Sequence, residues 1–337
     1  MTAIRLEGIS KSFSKGAPIL SELTLAIAAG ERLAIVGPSG AGKTTLLRLL
    51  AGFEKIDAGK IFFGDRAVTN LPPEQRDVGF VFQTHALYPH LTVEENLAFP
   101  LRLRGFSRSD IGKRVREMAT LLRLQQFLHR RPGELSGGEA QRVALGRALI
   151  REPSILLMDE PLSSLPPDLR LQLRHELITL HGRQPRPLLY VTHDHEDALA
   201  LGQRVAVLDR GRLQQIGSPQ EIYENPANRF VAAFIGKPAM NFISADLAPR
   251  WSPQAETLGI RPEHLEACAP TDAWFTPTIQ GIQYGGSHSD VLVKCDAGEL
   301  IVRVFGGYTL KIGDPLPLRA KPQFVHAFDS AGNRLKA

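Results

Sequence analysis

Short, continuous apolar runs recur along the first two thirds of the chain, separated by segments with helical spacing. Runs of this length that do not alternate with polar residues predict strands covered on both faces. They lie at 33–36, 79–82, 155–158, 188–191 and 205–208. Helices are predicted over 45–51, 139–150 and 168–181, where apolar residues share one face. This alternation predicts an α/β core built on a parallel sheet.

The pattern changes twice outside this core. Strand-like runs stop between residues 85 and 150 and helical spacing dominates, which predicts a helical insertion. The last part of the chain is strand-rich, with glycine turns between its runs, and predicts a small β-barrel-like domain. Its strand-like runs lie at 279–284, 291–295 and 300–305. We therefore expect two domains, residues 1–236 and 237–337.

Composition narrows the class of protein. A chain of 337 residues is long enough for two domains. It has no apolar run of membrane-spanning length and no secretion signal, and Cys268 and Cys295 alone do not indicate a disulfide framework. A cytosolic location follows as the expectation. The net charge of +5 comes from 40 basic and 35 acidic residues without a long basic run, so nucleic-acid binding is not expected.

Residues 37–44 read Gly-Pro-Ser-Gly-Ala-Gly-Lys-Thr and fill the phosphate-loop pattern GxxxxGK[ST] between a predicted strand and a predicted helix. Glycines let backbone N–H groups turn inward around an anion. Lys43 can reach the β- and γ-phosphates, and the Thr44 hydroxyl can ligate Mg²⁺. Because the loop opens a helix, the helix dipole also favours negative charge there. The sequence thus predicts a phosphate-bearing ligand.

Two carboxylates follow the apolar run at 155–158. Asp159, at the C-terminal tip of this strand beside the phosphate loop, can hold Mg²⁺ through water. Glu160 next to it can polarise an attacking water and is a candidate general base. Taken without the phosphate loop, the pair could equally cap a loop.

A second glycine-rich helix start occurs at 135–139, Leu-Ser-Gly-Gly-Glu. Ser136 is a good N-cap, and Glu139 three residues later completes a capping box. Consecutive glycines before a helix can also bind an anion, so capping alone and phosphate binding both remain open. Two phosphate-binding helix starts in one chain indicate that a second copy supplies one of them.

The run at 135–149, Leu-Ser-Gly-Gly-Glu-Ala-Gln-Arg-Val-Ala-Leu-Gly-Arg-Ala-Leu, resembles the ATP-binding subunits of ATP-binding cassette (ABC) transporters. In that family two subunits sandwich two ATP molecules head to tail. The resemblance implies that Ser136, Gly137 and Gly138 of a second copy close on the γ-phosphate. The residues it assigns to the phosphates of ATP are Gly37, Pro38, Ser39, Gly40, Ala41, Gly42, Lys43, Thr44 and Thr45.

The resemblance assigns three further residues. Gln83 matches the glutamine that touches Mg²⁺ and the water and senses the membrane partner, and His193 matches the histidine that contacts the γ-phosphate. Phe13 matches the aromatic residue that stacks on adenine, with a core role as the alternative. The implied metal ligands are therefore Thr44, Gln83 and Asp159. The implied catalytic residues are Lys43, Gln83, Glu160 and His193.

One loop departs from the family pattern. After Glu160 the family usually reads Pro-Leu-Ser-x-Leu-Asp, whereas residues 161–168 read Pro-Leu-Ser-Ser-Leu-Pro-Pro-Asp. Pro166 stands where the aspartate is expected, and Asp168 follows two residues later. Proline fixes φ and removes a backbone donor in a loop that couples the two ATP sites. We expect ATP binding to be retained, with hydrolysis or coupling altered.

The resemblance favours import over export, because the ATPase carries no fused membrane spans. Residues 82–96 resemble importer ATPases that receive a helix from a separate permease, and 236–242 and 259–264 resemble the junction and C-terminal TOBE/OB-like domain of maltose- and glycerol-phosphate-type importers. We therefore expect carbohydrates or glycerol-3-phosphate as the imported solute, with polyamines, sulfate or molybdate, and ferric iron, which related importers take up, as the alternatives. The implied partners are a second nucleotide-binding subunit, permease subunits at the cytoplasmic membrane face and, indirectly, an extracytoplasmic solute-binding protein. The alternatives are a soluble cassette ATPase acting on nucleic acid or ribosomes, and a phosphate-loop kinase or GTPase.

Overall fold

A computed structural model describes residues 3–13, 18–84, 86–163, 165–247, 254–295, 298–306 and 310–335. The chain divides into two compact units, residues 1–219 and 220–337. The strands of the first unit are β1 Ile4–Lys11, β2 Leu20–Ile27, β3 Arg32–Val36, β4 Ala58–Phe63, β5 Arg66–Ala67, β6 Val78–Val81, β7 Ile155–Asp159, β8 Leu188–Thr192, β9 Arg204–Asp209 and β10 Arg212–Gly217. Its helices are α1 Lys43–Ala51, α2 Val93–Leu103, α3 Arg108–Leu121, α4 Gly137–Leu149, α5 Pro167–Arg183 and α6 His195–Leu201.

A six-stranded sheet forms the centre of the first unit, in the order β10-β9-β3-β8-β7-β6. Its strands run parallel except for the edge strand β10, which pairs antiparallel with β9. Every residue of β7 and of β8 is buried, as expected for strands covered on both faces. The predicted α/β core is therefore confirmed, and its elements lie within two residues of the predicted bounds.

The segment between β6 and β7 is helical, as predicted. Helices α2, α3 and α4 occupy it, and α2 contacts both of the others. Their apolar faces share one core with the buried side chains of β7, β8 and α5. His85, where the predicted insertion begins, lies outside the described residues.

A second sheet of the first unit is antiparallel, in the order β2-β1-β4-β5. In β2, buried Leu23, Leu25 and Ile27 alternate with more exposed neighbours, which is the pattern of a strand with one covered face. This sheet adds a layer that the continuous apolar runs did not predict. Its buried side chains join α1 and the central sheet in one core.

The second unit is rich in strands. Helix α7 Pro219–Glu224 leads into it, followed by α8 Arg229–Phe234, β11 Asn241–Ser244, β12 Thr257–Ile260, β13 Leu265–Ala267, β14 Thr278–Tyr284, β15 His288–Cys295, β16 Gly298–Phe305, β17 Leu318–Ala320 and β18 Val325–Phe328. The strands form three antiparallel sheets, β11-β12-β18, β13-β17 and β14-β15-β16, around a shared apolar core. The predicted β-rich second domain is confirmed. The boundary at 236 stays a prediction. The second compact unit begins at Gln220, within α7, and includes α8.

Candidate functional site

Four neighbouring parallel strands deliver the predicted site residues to one edge of the central sheet. The phosphate loop follows β3, and Gln83 follows β6. Asp159 ends β7 and Glu160 comes directly after it, and His193 follows β8. Since β3, β8, β7 and β6 are adjacent and parallel, their carboxyl ends meet at the same edge. This is the edge at which open α/β sheets bind their ligands.

The phosphate loop has the backbone geometry that its glycines allow. Gly40 and Gly42 have φ values of +79° and +95°, in the region that disfavours other residues. A Cβ on Gly37 would collide with the backbone carbonyl of Leu208, so a side chain has no room there. Helix α1 starts at Lys43 without a side-chain cap. Its first N–H groups are therefore available to an anion.

Lys43 lies folded back across this loop. Its Nζ donates to the carbonyl oxygens of Gly37 at 2.7 Å and Pro38 at 2.9 Å, and the residue is 7% exposed. Burial lowers the pKa of Lys43, while the nearby carboxylates of Glu160 and Asp159 act to raise it. The ammonium group thus sits at the loop centre, where phosphate oxygens would be its strongest acceptors.

Thr44 and Asp159 bring two oxygen ligands together. The Thr44 hydroxyl donates to Asp159 Oδ1 at 3.1 Å, and Asp159 is 6% exposed at the end of β7. Burial raises the pKa of Asp159, and the hydrogen bond from Thr44 opposes the rise. A buried carboxylate beside a hydroxyl is an arrangement that Mg²⁺ would stabilise, with phosphate and water as its other ligands. The residues present therefore fit the ion.

Glu160 is held in an uncommon conformation between two partners. Its φ is +46°, a strained value for a residue with a side chain, and its N–H donates to the Val191 carbonyl at 2.9 Å. Gln83 Nε2 donates to Glu160 Oε2 at 3.2 Å, and His193 Nδ1 lies 2.9 Å from the same oxygen. The structure thus brings together Gln83, Glu160 and His193. The contact of Gln83 is with Glu160, and its place as a metal ligand stays a prediction.

The second glycine-rich helix start is a separate feature of the surface. Ser136 is the N-cap of α4, and Ser136 and Glu139 form the predicted capping box, with Ser136 N–H donating to Glu139 Oε2 at 2.7 Å. A Cβ on Gly137 would meet no atom within 4 Å, whereas one on Gly138 would collide with the Leu169 side chain. The polar contacts of Ser136 stay within this helix start. Gly137 faces open space.

Phe13 is 56% exposed, and Lys11 Nζ lies 5.2 Å from the centre of its ring. Lys11 also pairs with Asp57 Oδ1 at 3.2 Å, which fixes the cation beside the ring. An exposed ring next to a cation is suited to stacking on a base. The assignment of Phe13 to adenine stays a prediction.

The loop after Glu160, whose sequence departs from the family pattern at Pro166, ends at the start of α5. Pro166 is the N-cap of this helix with φ −55° and ψ 151°, and Pro167 is its first residue. Proline is favoured in the first turn because its missing N–H is not needed there. The exposed Pro166 caps no N–H with its side chain, a role that an aspartate could fill. Ser164 in this loop lies outside the described residues.

Two residues that the sequence did not single out join this loop to His193. Arg170 on α5 donates from Nη1 to Asp194 Oδ2 at 2.9 Å and from Nη2 to the carbonyls of Ser163 and Leu165 at 3.2 and 3.4 Å. Asp194 directly follows His193 and is the N-cap of α6, a role that its place before a helix indicates. Arg170 carries no comparable signal, because its partner is 24 residues away in sequence.

Comparison with known proteins decides the family. A sequence profile described as ABC transporter matches residues 20–163, and one described as TOBE domain matches residues 258–328. The sn-glycerol-3-phosphate import ATP-binding protein UgpC 3 of Agrobacterium fabrum is 43% identical, over 99% of this chain and 100% of its own length. This chain belongs to the ABC transporter family. It is an ATP-binding subunit of that family and an ATPase.

Other members of the ABC transporter family agree. The sn-glycerol-3-phosphate import ATP-binding proteins UgpC of Cupriavidus pinatubonensis and Yersinia pseudotuberculosis are each 40% identical, over 100% and 98% of both chains. A dimeric ATP-binding cassette solved in a post-hydrolysis state with ADP and phosphate is 30% identical with a TM-score of 0.60, covering 64% of this chain and 98% of its own. Among the described residues of this ABC protein, no helix is both long and apolar enough to cross a bilayer.

Proposed function

We propose that this ABC ATPase energises a membrane importer from the cytoplasmic face, with hydrolysis carried out by the residues at the carboxyl edge of the central sheet. The observation that carries the proposal is the placement of Glu160, whose carboxylate lies between Gln83 and His193 one residue from the Thr44–Asp159 pair. A candidate base, a candidate metal site and a phosphate loop thus adjoin one another. This combination supports attack of water on a γ-phosphoryl group.

The residues would divide the work. Lys43 and the N–H groups at the start of α1 bind the phosphates and stabilise charge that develops on them. Glu160 accepts a proton from the attacking water or orients it, and Gln83 fixes the carboxylate. His193 shares the carboxylate of Glu160 and is 58% exposed at its side chain, so it is placed to turn toward a phosphate.

Thr44 and Asp159 would hold Mg²⁺, which neutralises phosphate charge when bound. Burial raises the pKa of the Asp159 carboxyl, so a cation beside it would offset the cost of burying its charge. Asp159 is the last residue of β7, and its carboxylate lies within hydrogen-bond distance of the Thr44 hydroxyl. Gln83 would be a third ligand through its amide oxygen, since Nε2 is the atom that donates to Glu160.

Completion of the site would require a second copy. Ser136 and Gly137 are exposed and Gly138 is buried at the start of α4, where the capping-box contacts of Ser136 are with Glu139 of the same turn. Such a turn offers backbone N–H groups to a phosphate on a facing molecule. We propose a homodimer that closes around two ATP molecules and drives a separate permease as it closes and reopens. The solved relative described as dimeric supports this arrangement.

The proposed solute is sn-glycerol-3-phosphate or a carbohydrate. The relatives that match nearly the whole chain are named as sn-glycerol-3-phosphate import proteins, and this likeness favours a phosphorylated polyol over polyamines, sulfate or ferric iron. A strain that lacks this chain should lose uptake of radiolabelled glycerol-3-phosphate and regain it on complementation. Unchanged uptake of this solute and of maltose, with loss of another, would reassign the importer.

The catalytic proposal is tested by Glu160→Gln in the full chain. We expect the ATPase rate to fall about 10²- to 10⁴-fold, the usual contribution of a general base, while ATP binding measured by calorimetry is kept. Glu152→Gln is the matched control, because Glu152 is an exposed carboxylate whose partner is Arg114. A Glu160→Gln protein that hydrolyses ATP at the normal rate would refute the assignment.

The same variant tests the dimer. Glu160→Gln with ATP and Mg²⁺ should form a dimer in light scattering, since hydrolysis no longer reopens it. Adding Gly137→Asp should prevent dimer formation, because the new carboxylate fits the free helix start but would repel a γ-phosphate. A dimer that forms equally well with Gly137→Asp would contradict the proposed closure.

A further inference from the structure

One guanidinium group joins three segments near the proposed base. Arg170 Nη1 contacts Asp194 in the loop after β8, and Nη2 contacts the carbonyls of Ser163 and Leu165 in the loop after β7. Arg170 itself lies in the first turn of α5, and its side chain is 22% exposed. These contacts connect the loop that follows Glu160 with the side chain of the residue that follows His193.

The contacts close a ring that passes through Glu160. The Glu160 carbonyl accepts from Ser163 Oγ at 3.0 Å, and the Ser163 carbonyl accepts from Arg170. Arg170 also donates to Asp194, which is the next residue after His193. The ring returns to its start where His193 Nδ1 lies 2.9 Å from Glu160 Oε2. Arg170 is therefore connected to the Glu160 carbonyl through Ser163, and to the Glu160 carboxylate through Asp194 and His193.

This ring bears on the strained conformation of Glu160. A positive φ persists in a residue with a side chain only where the surroundings hold it. The Ser163 contacts grip the Glu160 carbonyl, and Arg170 fixes Ser163 in turn. Release of Arg170 would let the loop after β7 relax and would change the distance between Glu160 and His193.

We propose that Arg170 is a positioning residue of the ATPase, which sets the geometry of Glu160 and His193 by tying the loops after β7 and β8 together. The proposal deepens the proposed function and rests on the role assigned there to Glu160. It also gives the loop a fixed point beside Pro166, where a capping side chain is lacking. Arg170 is not expected to touch ATP.

The neighbouring Arg174 provides a matched comparison. It lies one turn later on α5, and its Nη2 is 2.7 Å from Asp197 Oδ1 on α6. Asp197 is 1% exposed and also accepts from the Tyr190 hydroxyl at 3.3 Å. This pair holds the same two helices together, and its polar contacts do not include the described residues of the loop after β7. Loss of Arg174 should destabilise the fold without displacing Glu160.

The test compares Arg170→Met, Arg170→Lys and Arg174→Met in the full chain, well below each melting temperature. For Arg170→Met we expect kcat to fall about ten- to a hundredfold, with the Kd for ATP within about threefold, since misplacement by about 1 Å costs this much. Arg170→Lys should recover part of the rate, because an ammonium can reach Asp194 but cannot span both loops. Arg174→Met should lower the melting temperature and keep kcat within about threefold.

The outcomes separate this proposal from the proposed function. A normal kcat in Arg170→Met, or an equal loss of kcat in Arg174→Met, would overturn the positioning role. If Glu160→Gln also hydrolyses ATP normally, the proposed function has failed as well. A loss of rate in Glu160→Gln together with a normal rate in Arg170→Met would refute the inference alone.

Discussion

His326 makes the stability of the second unit depend on pH. It lies on β18, is 6% exposed, and has a buried Nδ1 that finds no hydrogen-bond partner among the described residues. Burial lowers its pKa from 6.5 to about 4, and the charges of Arg334, Arg261 and His264 act in the same direction. Folding therefore requires this imidazole to be neutral.

The sign and size of the effect follow from linkage. The folded pKa is below the unfolded pKa, so the unfolded state binds the extra proton as pH falls below 6.5. Stability is complete above this value and is lost between pH 6.5 and 4. With these two pKa values the loss between pH 7.5 and 5.0 is about 2 kcal/mol, and it approaches about 3 kcal/mol below pH 4.

Urea unfolding followed by tryptophan fluorescence measures this loss. Trp274 packs against the apolar core of the second unit, so its emission reports on that unit, while Trp251 lies outside the described residues. His326→Gln should flatten the change between pH 7.5 and 5.0 by about 2 kcal/mol, leaving the smaller contribution of His264, whose pKa burial also lowers. His288→Gln, at a partly exposed site of the same unit, is the control. An undiminished pH dependence in His326→Gln would refute the reasoning.

Two further substitutions test the first unit. Arg76 is buried and donates to four backbone carbonyls, two of them at the end of α1, so Arg76→Met should lower the free energy of unfolding by about 3 kcal/mol, with Arg76→Lys intermediate. Circular dichroism in urea would measure it, and a change below about 1 kcal/mol would show that water replaces these bonds. Pro166→Asp should stabilise the start of α5 by about 1 kcal/mol as an N-cap and should change the ATPase rate. Indistinguishable rates would show that Pro166 costs nothing in hydrolysis.

The parts of the site that the sequence predicted are those encoded within a few residues. Glycines, Lys43 and Thr44 follow one another in a loop whose geometry depends on local backbone freedom. The capping box of Ser136 and Glu139 spans a single turn and was likewise predictable. The continuous apolar runs fixed the order of strands and helices, and parallel pairing then brought the strand ends together.

The parts that the sequence did not predict depend on contacts between distant residues. Arg170 and Arg76 are two of many arginines in the sequence, and nothing near them shows that Arg170 reaches Asp194, 24 residues away, or that Arg76 reaches the Leu49 carbonyl, 27 residues away. The continuous apolar runs did not predict the antiparallel sheet of β1, β2, β4 and β5. Its strand β2 alternates buried and exposed residues and therefore contains no such run. The hydrogen-bond partners of Arg76 and Arg170 are determined only once the chain is packed.

Arg76 and Arg170 hold two different parts of the first unit in place. Arg76 fixes the end of α1 away from the phosphate loop, so the helix that carries Lys43 and Thr44 is rigid at its far end. Arg170 fixes the two loops that carry Glu160 and His193. In the proposed mechanism the phosphate is bound at the start of α1 and attacked beside Glu160, so both groups would have to hold their relative positions. Loss of each arginine should therefore affect a different step: loss of Arg76 should lower stability and weaken ATP binding, and loss of Arg170 should lower the rate of hydrolysis.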